Sequence, residues 1–308
     1  MMKKEFSYLS RDGVTKIHGI EWIPDGEIIG ILQMCHGMVE YIDRYDEFAV
    51  YLAGKGFYVV GHDHLGHGKS VQSQEDYGHF DEVKGNRYLI GDIHMLRQRT
   101  MKKYPGLPYF IMGHSMGSFL VRQYLTLYGQ GLAGAIIMGT GYQPLPVILA
   151  GQLLCKILAA FKGWRHRSRL VDGLCLGIYR SHFKSGGGVG DWTTSDREMW
   201  EKYTKDPLCN FRFTLAGYYQ MLEGMKSLVK AGSVKRIPKE LPVFFVAGED
   251  DPVGAFGKGV RKIYAKYKAS GLEKTDLKLY RDDRHEILNE TDRDKVYEDL
   301  YLWLRENL

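Results

Sequence analysis

Cysteine is scarce here, four in 308 residues: Cys35, Cys155, Cys175 and Cys209. No two form a C-x-x-C pair, which argues against a zinc site or a disulfide framework; scattered free thiols suit a reducing compartment. Charge of one sign is also in short supply. The formal net charge of +5 is mild for this length and is not clustered like a nucleic-acid-binding face. The first residues, MMKKEFSYLSRDG, carry two lysines with no apolar stretch behind them, so no signal peptide is expected and a cytoplasmic address is the default. Internal repeats and low-complexity tails are missing too. What is present is ordinary for a soluble enzyme, 44% hydrophobic and 26% charged residues. The length allows one sizeable core, or one core with an inserted subdomain.

Tyr109 to Phe119, YFIMGHSMGSF, organises the rest. Tyr109 to Met112 is a short apolar run, as a buried parallel strand should be. Gly113-His114-Ser115-Met116-Gly117 follows, and Ser118 to Tyr128 has amphipathic helical spacing. Strand, G-x-S-x-G, helix is the context of a nucleophile elbow. A serine standing proud of a sheet edge needs a strained turn. The residues two before and two after must lack side chains, or strand and helix would collide. The helix N-terminus then points free N–H groups at any oxyanion formed there.

In chain order, Lys4 to Ser10 and Lys16 to Ile23 predict an edge hairpin turning at Arg11-Asp12-Gly13. Ile28 to Cys35 predicts a buried strand running into His36-Gly37-Met38. Helix Asp43 to Ala53, strand Phe57 to Asp63, helix Tyr88 to Tyr104, the elbow, and strand Ala133 to Gly139 follow. This alternation implies an α/β fold, a mostly parallel sheet flanked by helices on both faces. After Gly141 it breaks. Residues 142–236 hold apolar helical runs and the loose loop Ser185 to Gly190, without a convincing core strand. It returns with strand Leu241 to Gly248, helix Gly259 to Ser270, strand Asp276 to Tyr280 and helix Asp292 to Glu306. The expected organisation is therefore a core of 1–141 and 237–308, interrupted by a helical cap of 142–236.

A serine hydroxyl needs a base, and the base needs an orienting acid. Behind such an elbow they are expected after later core strands, acid first. Strand Leu241 to Ala247 ends in Gly248-Glu249-Asp250-Asp251-Pro252-Val253, so Asp251 is the candidate acid, with Asp250 as the alternative. His285, just after strand Asp276 to Tyr280, is the candidate base; of 11 histidines only this one lies beyond the aspartates. Glu290 either bonds this loop or is simply solvated. For the oxyanion hole the candidate donors are the backbone N–H groups of Met116 and Met38. His62 to His67, HDHLGH, resembles the zinc motif H-x-H-x-D-H. That motif wants a carboxylate where Gly66 stands, and a polar turn after a strand fits better, so no metal is expected.

With HGM, DHLGHGKS, GHSMG, GEDDPVG and RHEILNE in order, the sequence resembles the α/β-hydrolase superfamily over nearly its whole length. More narrowly, it is similar to the monoacylglycerol lipase and bacterial lysophospholipase branch, also described as serine aminopeptidase S33-like. The D-H-x-G-H-G-x-S turn at Asp63 to Ser70 is a hallmark of that branch, and Asp206-Pro207-Leu208 resembles its cap. Met38, where many relatives have a small residue, and His64, in place of a frequent arginine, depart from the pattern. The resemblance implies acyl transfer through Ser115, His285 and Asp251, without a cofactor, on a small ester or monoacyl lipid. It leaves open a short-chain esterase, thioesterase or aminopeptidase on the same residues, or a non-catalytic ligand-binding relative.

Pro144 to Phe161 is the most apolar stretch, broken by Gln152 and Lys156, and Lys162, Arg165, Arg167 and Arg169 follow it. At 18 residues it matches a short membrane span in length, but two prolines and an internal lysine argue against spanning. Two readings remain: a cap helix touching a lipid surface from Pro144 to Arg169, or one packed on its own domain beside a solvated basic loop. Phe211 to Tyr219 suits either pocket lining or cap packing.

Overall fold

A computed structural model describes residues 1–183, 192–230 and 232–308; the expected loop Ser185 to Gly190 lies outside the described residues. Eight strands form one sheet: β1 (Met2–Leu9), β2 (Lys16–Ile23), β3 (Gly30–Cys35), β4 (Phe57–His62), β5 (Tyr109–His114), β6 (Gly134–Met138), β7 (Val243–Gly248) and β8 (Thr275–Tyr280). Their order across the sheet is β1-β2-β4-β3-β5-β6-β7-β8. The β1–β2 and β2–β4 pairs are antiparallel, and the remainder run parallel.

The buried strands read as continuous apolar runs because both faces of the sheet are covered. Alternate side chains feed two cores. Ile111 points to the side packed by α2 (Gly85–Lys103), α3 (Met116–Tyr128) and α9 (Lys258–Ala269); Phe110 and Met112 point to the side packed by α1 (Asp46–Gly54) and α10 (Arg293–Glu306). Between β6 and β7 the chain forms α4 (Leu145–Lys162), α5 (Arg169–Asp172), α6 (Ile178–Ser181), α7 (Arg197–Lys205) and α8 (Leu215–Val229). Ile148 of α4 packs against Leu222 and Met225 of α8.

Two boundaries differ from expectation for physical reasons. The helix expected from Asp43 begins as a 3-10 turn, Ile42–Tyr45, and becomes α-helical at Asp46. Helix α2 starts at Gly85 rather than Tyr88, because its first turn is polar and carries no apolar periodicity. Parallel pairing brings the carboxyl ends of β3, β5, β7 and β8 to one edge, where open α/β sheets place their ligands. Met38, Ser115, Asp251 and His285 all follow those ends.

Candidate active site

Ser115 joins β5 to α3 with φ 52° and ψ −118°. A side-chain-bearing residue is held there at a cost of about 1–3 kcal/mol. The flanking glycines make the turn possible. A Cβ on Gly113 would stand 2.3 Å from Gly117 O, and one on Gly117 would stand 2.1 Å from Cys35 O. A Cβ on Gly37 would come within 3.0 Å of Ser115 Cβ, so the loop after β3 crosses directly over the serine. Met38 and Met116 line the same cavity as Ser115. Met116 opens α3, where an N–H has no carbonyl a turn earlier to bond.

His285 Nδ1 lies 3.0 Å from Asp251 Oδ2, with the histidine 2% and the aspartate 0% exposed. A carboxylate only accepts, so Nδ1 carries the proton and Nε2 presents its lone pair. Nε2 is buried with no hydrogen-bond partner among the described residues. Asp251 Oδ1 accepts from Val253 N–H at 2.8 Å, which is how the turn expected after the acid is held. Asp250 is exposed, and its N–H donates to Asp283 O at 2.9 Å. The carboxylate that meets the histidine is Asp251.

Glu290 is fully buried and bonds the His285 loop. Its Oε1 accepts from Arg284 N–H at 2.8 Å, and its Oε2 accepts from Ser195 N–H at 2.9 Å. Glu286 N–H donates to Thr193 O at 2.6 Å. Segment 193–195 and the loop after β8 are thus stitched together, with the Trp192 ring centre 5.1 Å from that of His285.

The Asp63 to Ser70 turn supports the site from behind. Asp63 Oδ1 accepts from Ile42 N–H at 2.9 Å, and Oδ2 from Lys69 N–H at 2.8 Å. A Cβ on Gly68 would fall 2.3 Å from Asp63 Oδ2, so the chain can wrap the carboxylate only with glycine there. His36 Nε2 accepts from His64 N–H at 2.8 Å, and His36 Nδ1 donates to Gly37 O at 2.8 Å. His62, His64 and His67 are buried. Burial pushes His62 and His67 down to about 3, so both are neutral rings at neutral pH. Among the described residues no group of three or more His, Cys, Asp or Glu side chains is placed to hold a metal ion.

The cavity over Ser115 measures about 310 Å³. Its apolar wall includes Phe119, Tyr179, Trp192, Phe211, Met221 and Met225. Of the aromatic stretch, Phe211 lines this cavity while Phe213 and Tyr218 belong to the core. Sequence reasoning passed over Glu40, Arg44, His114 and Glu286, a buried charged cluster beside these groups. H-G-M-V-E at His36 to Glu40 carried its one local signal, an acid three residues beyond the loop glycine.

Helix α4 is inverted relative to an ordinary amphipathic helix. Its buried face is Ile148, Gln152, Cys155 and Ala159. Leu145, Leu149, Leu153, Ile157 and Phe161, spaced four apart, are exposed, Phe161 by 84%. The basic residues that follow are partly engaged. Arg165 pairs with Asp76 at 3.1 Å, and Arg167 donates to the carbonyls of Tyr77, Glu75 and Arg212.

The sequence profile of the family described as serine aminopeptidase, S33, matches residues 26–292. A monoacylglycerol lipase of Mycolicibacterium smegmatis is 24% identical over 99% of this chain and 98% of its own. Monoglyceride lipase of Homo sapiens is 25% identical over 92% of this chain and 84% of its own. The structure of a thermostable carboxyl esterase from Bacillus coagulans, in complex with glycerol, superposes with a TM-score of 0.91 at 29% identity, covering 99% of both chains.

Proposed function

Because the chain belongs to the serine aminopeptidase S33 family, within the monoacylglycerol lipase-like branch of the α/β-hydrolases, and is a carboxylic ester hydrolase, we propose that it cleaves monoacyl lipids, monoacylglycerols or lysophospholipids, by serine acyl transfer. The observation that carries this reading is the cavity of about 310 Å³. Ser115 and His285 both line it, and Phe119, Trp192, Phe211, Met221 and Met225 give it an apolar wall. The helices of 142–236 act as its cap. The names of the relatives, and the glycerol in the esterase structure, support an acylglycerol-like ester.

In the proposed mechanism Ser115 Oγ attacks the ester carbonyl as His285 Nε2 takes its proton. Asp251 orients the ring and stabilises the imidazolium. The tetrahedral oxyanion accepts from the Met38 and Met116 N–H groups. The alcohol leaves with the proton from His285, and water then attacks the acyl-enzyme by the same route. A p-nitrophenyl ester series from acetate to palmitate, with fluorophosphonate labelling, tests this. Turnover highest at medium or long chains, with label on Ser115, is expected. A maximum at acetate would replace the lipid reading by that of a short-chain esterase, and absence of both turnover and label would point to a ligand-binding protein.

The proposal includes a location: a cytoplasmic protein, its four cysteines free, that touches a membrane surface through the exposed stripe of α4. Arg165 and Arg167 are held by the protein while Lys162 and Arg169 stay exposed, so apolar burial is the main driving term and charge a lesser one. Flotation with phosphatidylcholine vesicles should therefore recover the wild type. It should lose a Leu149→Gln, Leu153→Gln, Ile157→Gln variant that keeps soluble-ester turnover. Equal recovery of the two would sink the membrane contact.

A further inference from the structure

The loops after β3, β5 and β8 are joined by one buried polar cluster centred on Glu40, which is 4% exposed. Glu40 Oε1 accepts from Gly37 N–H at 2.5 Å and from the Tyr45 hydroxyl at 3.0 Å, and it lies 3.1 Å from His114 Nδ1. Oε2 accepts from Arg44 Nη1 at 2.9 Å. Arg44 reaches on to Glu286, Nη2 donating to Oε2 at 2.7 Å. His114 Nε2 lies 3.2 Å from the His285 carbonyl oxygen.

Three residues of the cluster stand one position from a proposed reacting group. Gly37 precedes Met38, His114 precedes Ser115, and Glu286 follows His285. His114 Nδ1 faces both the Glu40 carboxylate and the Tyr45 hydroxyl, at 3.1 and 3.0 Å, while Nε2 faces the His285 carbonyl and so carries a proton. Burial disfavours the charged ring, but the Glu40 contact outweighs it and raises His114 above the ordinary histidine value. Burial likewise opposes an ionised Glu40, yet His114 and Arg44 hold its carboxyl well below the usual range. Arg44 and the two carboxylates close on one another, with the His114 ring packed between Glu40 and the His285 loop. A buried ion cluster adds little net stability over well-packed apolar side chains. What it supplies in their place is fixed geometry among three loops, each tied to a different strand.

We propose that Glu40 is a positioning residue for acyl transfer, holding the Met38 donor, Ser115 and His285 at fixed mutual distances. This rests on the serine acyl-transfer reading above. Misplacing reacting groups by 1 Å costs on the order of 100-fold in rate. Glu40→Asp keeps the charge but shortens the arm by a methylene, so it cannot reach Gly37, His114 and Arg44 together. Glu40→Gln keeps the length but discharges the pair.

The test is kcat and KM on a medium-chain p-nitrophenyl ester, per folded enzyme as judged by thermal melting, with Ser115→Ala alongside. Both Glu40 variants are expected to lose about 30- to 100-fold in kcat with KM within about threefold. A purely structural residue would change the yield of folded protein and leave kcat per folded enzyme intact; that outcome overturns the proposal. So does a raised KM at unchanged kcat, which would make Glu40 a substrate contact. Should either Glu40 variant fail to fold, Arg44→Lys decides the matter. It keeps the charge but cannot fork between Glu40 and Glu286, and about a tenfold or greater loss of kcat is expected, unchanged kcat overturning the idea. Turnover surviving in Ser115→Ala would fell the acyl-transfer reading and this inference with it. An inactive Ser115→Ala beside unaffected Glu40 variants would fell this inference alone.

Discussion

Ser115→Ala is expected to lose about four to six orders of magnitude in kcat and all fluorophosphonate labelling, while folding normally. The loss is large because in the proposed mechanism the nucleophile, base and acid act as a unit: without Oγ there would be nothing for His285 to activate. The same position offers an independent check on the backbone. At φ 52° and ψ −118° the strain belongs to the Cβ, not to the hydroxyl, so alanine keeps it and glycine relieves it. Ser115→Gly should be as inactive as Ser115→Ala, yet more stable than it by about 1 kcal/mol, the strain relief exceeding the added chain entropy. For a chain of this size that is a rise in melting temperature of roughly 1–2 °C. Differential scanning of the two inactive variants reads this directly. Identical melting would mean that the turn stores no strain at the serine, and the elbow argument would lose its physical basis.

Much of the candidate site was legible because its requirements are local. The glycines at 113 and 117 are dictated by contacts within a few residues of Ser115, or with the backbone of the adjoining loop, and they leave a readable spacing. Parallel strands covered on both faces leave apolar runs, so β3, β5, β6 and β7 could be placed to within a few residues. His285 was singled out by lying after the last strand as the sole histidine beyond the two aspartates, and the structure sets it against Asp251. Contacts between distant segments leave no such trace. Glu40 meets His114 across 74 positions, and Arg44 meets Glu286 across 242. No spacing in the chain marks which acid finds which base. The stripe on α4 failed to read for a different reason. A run of Leu, Ile and Phe at every fourth position states that a face is apolar, not what covers it. The buried side holds Gln152 and Cys155, which periodicity alone would have turned outward. Asp63 lies between these cases: its motif was visible as a family signature, but its job of wrapping a turn and gripping Ile42 N–H needed coordinates.

The second large effect separates two adjacent carboxylates. Asp251→Asn is expected to lower kcat about 10⁴-fold, whereas Asp250→Asn should stay within about twofold of the wild type, as surface substitutions away from partners do. The argument turns on one proton. Asp251 Oδ2 accepts from His285 Nδ1 at 3.0 Å, which leaves the Nε2 lone pair free to take the serine proton. Asparagine in the same place is already committed at one end, because Oδ1 accepts from Val253 N–H at 2.8 Å. Keeping its amide oxygen on that bond turns its NH₂ toward Nδ1, and a donor there demands the opposite tautomer, with the proton on Nε2. Such a ring can neither deprotonate Ser115 nor be stabilised as an imidazolium. About 5.5 kcal/mol of transition-state stabilisation goes with it, by the conversion of 1.36 kcal/mol per tenfold in rate. In the proposed function substrate binding draws on the apolar wall of the cavity rather than on this pair, so KM should move little. The fluorophosphonate reaction, which also needs an activated hydroxyl, should slow in parallel with kcat. Loss of activity in Asp250→Asn, with Asp251→Asn unaffected, would transfer the acid's role to the exposed residue and break the proposed proton path at its first link.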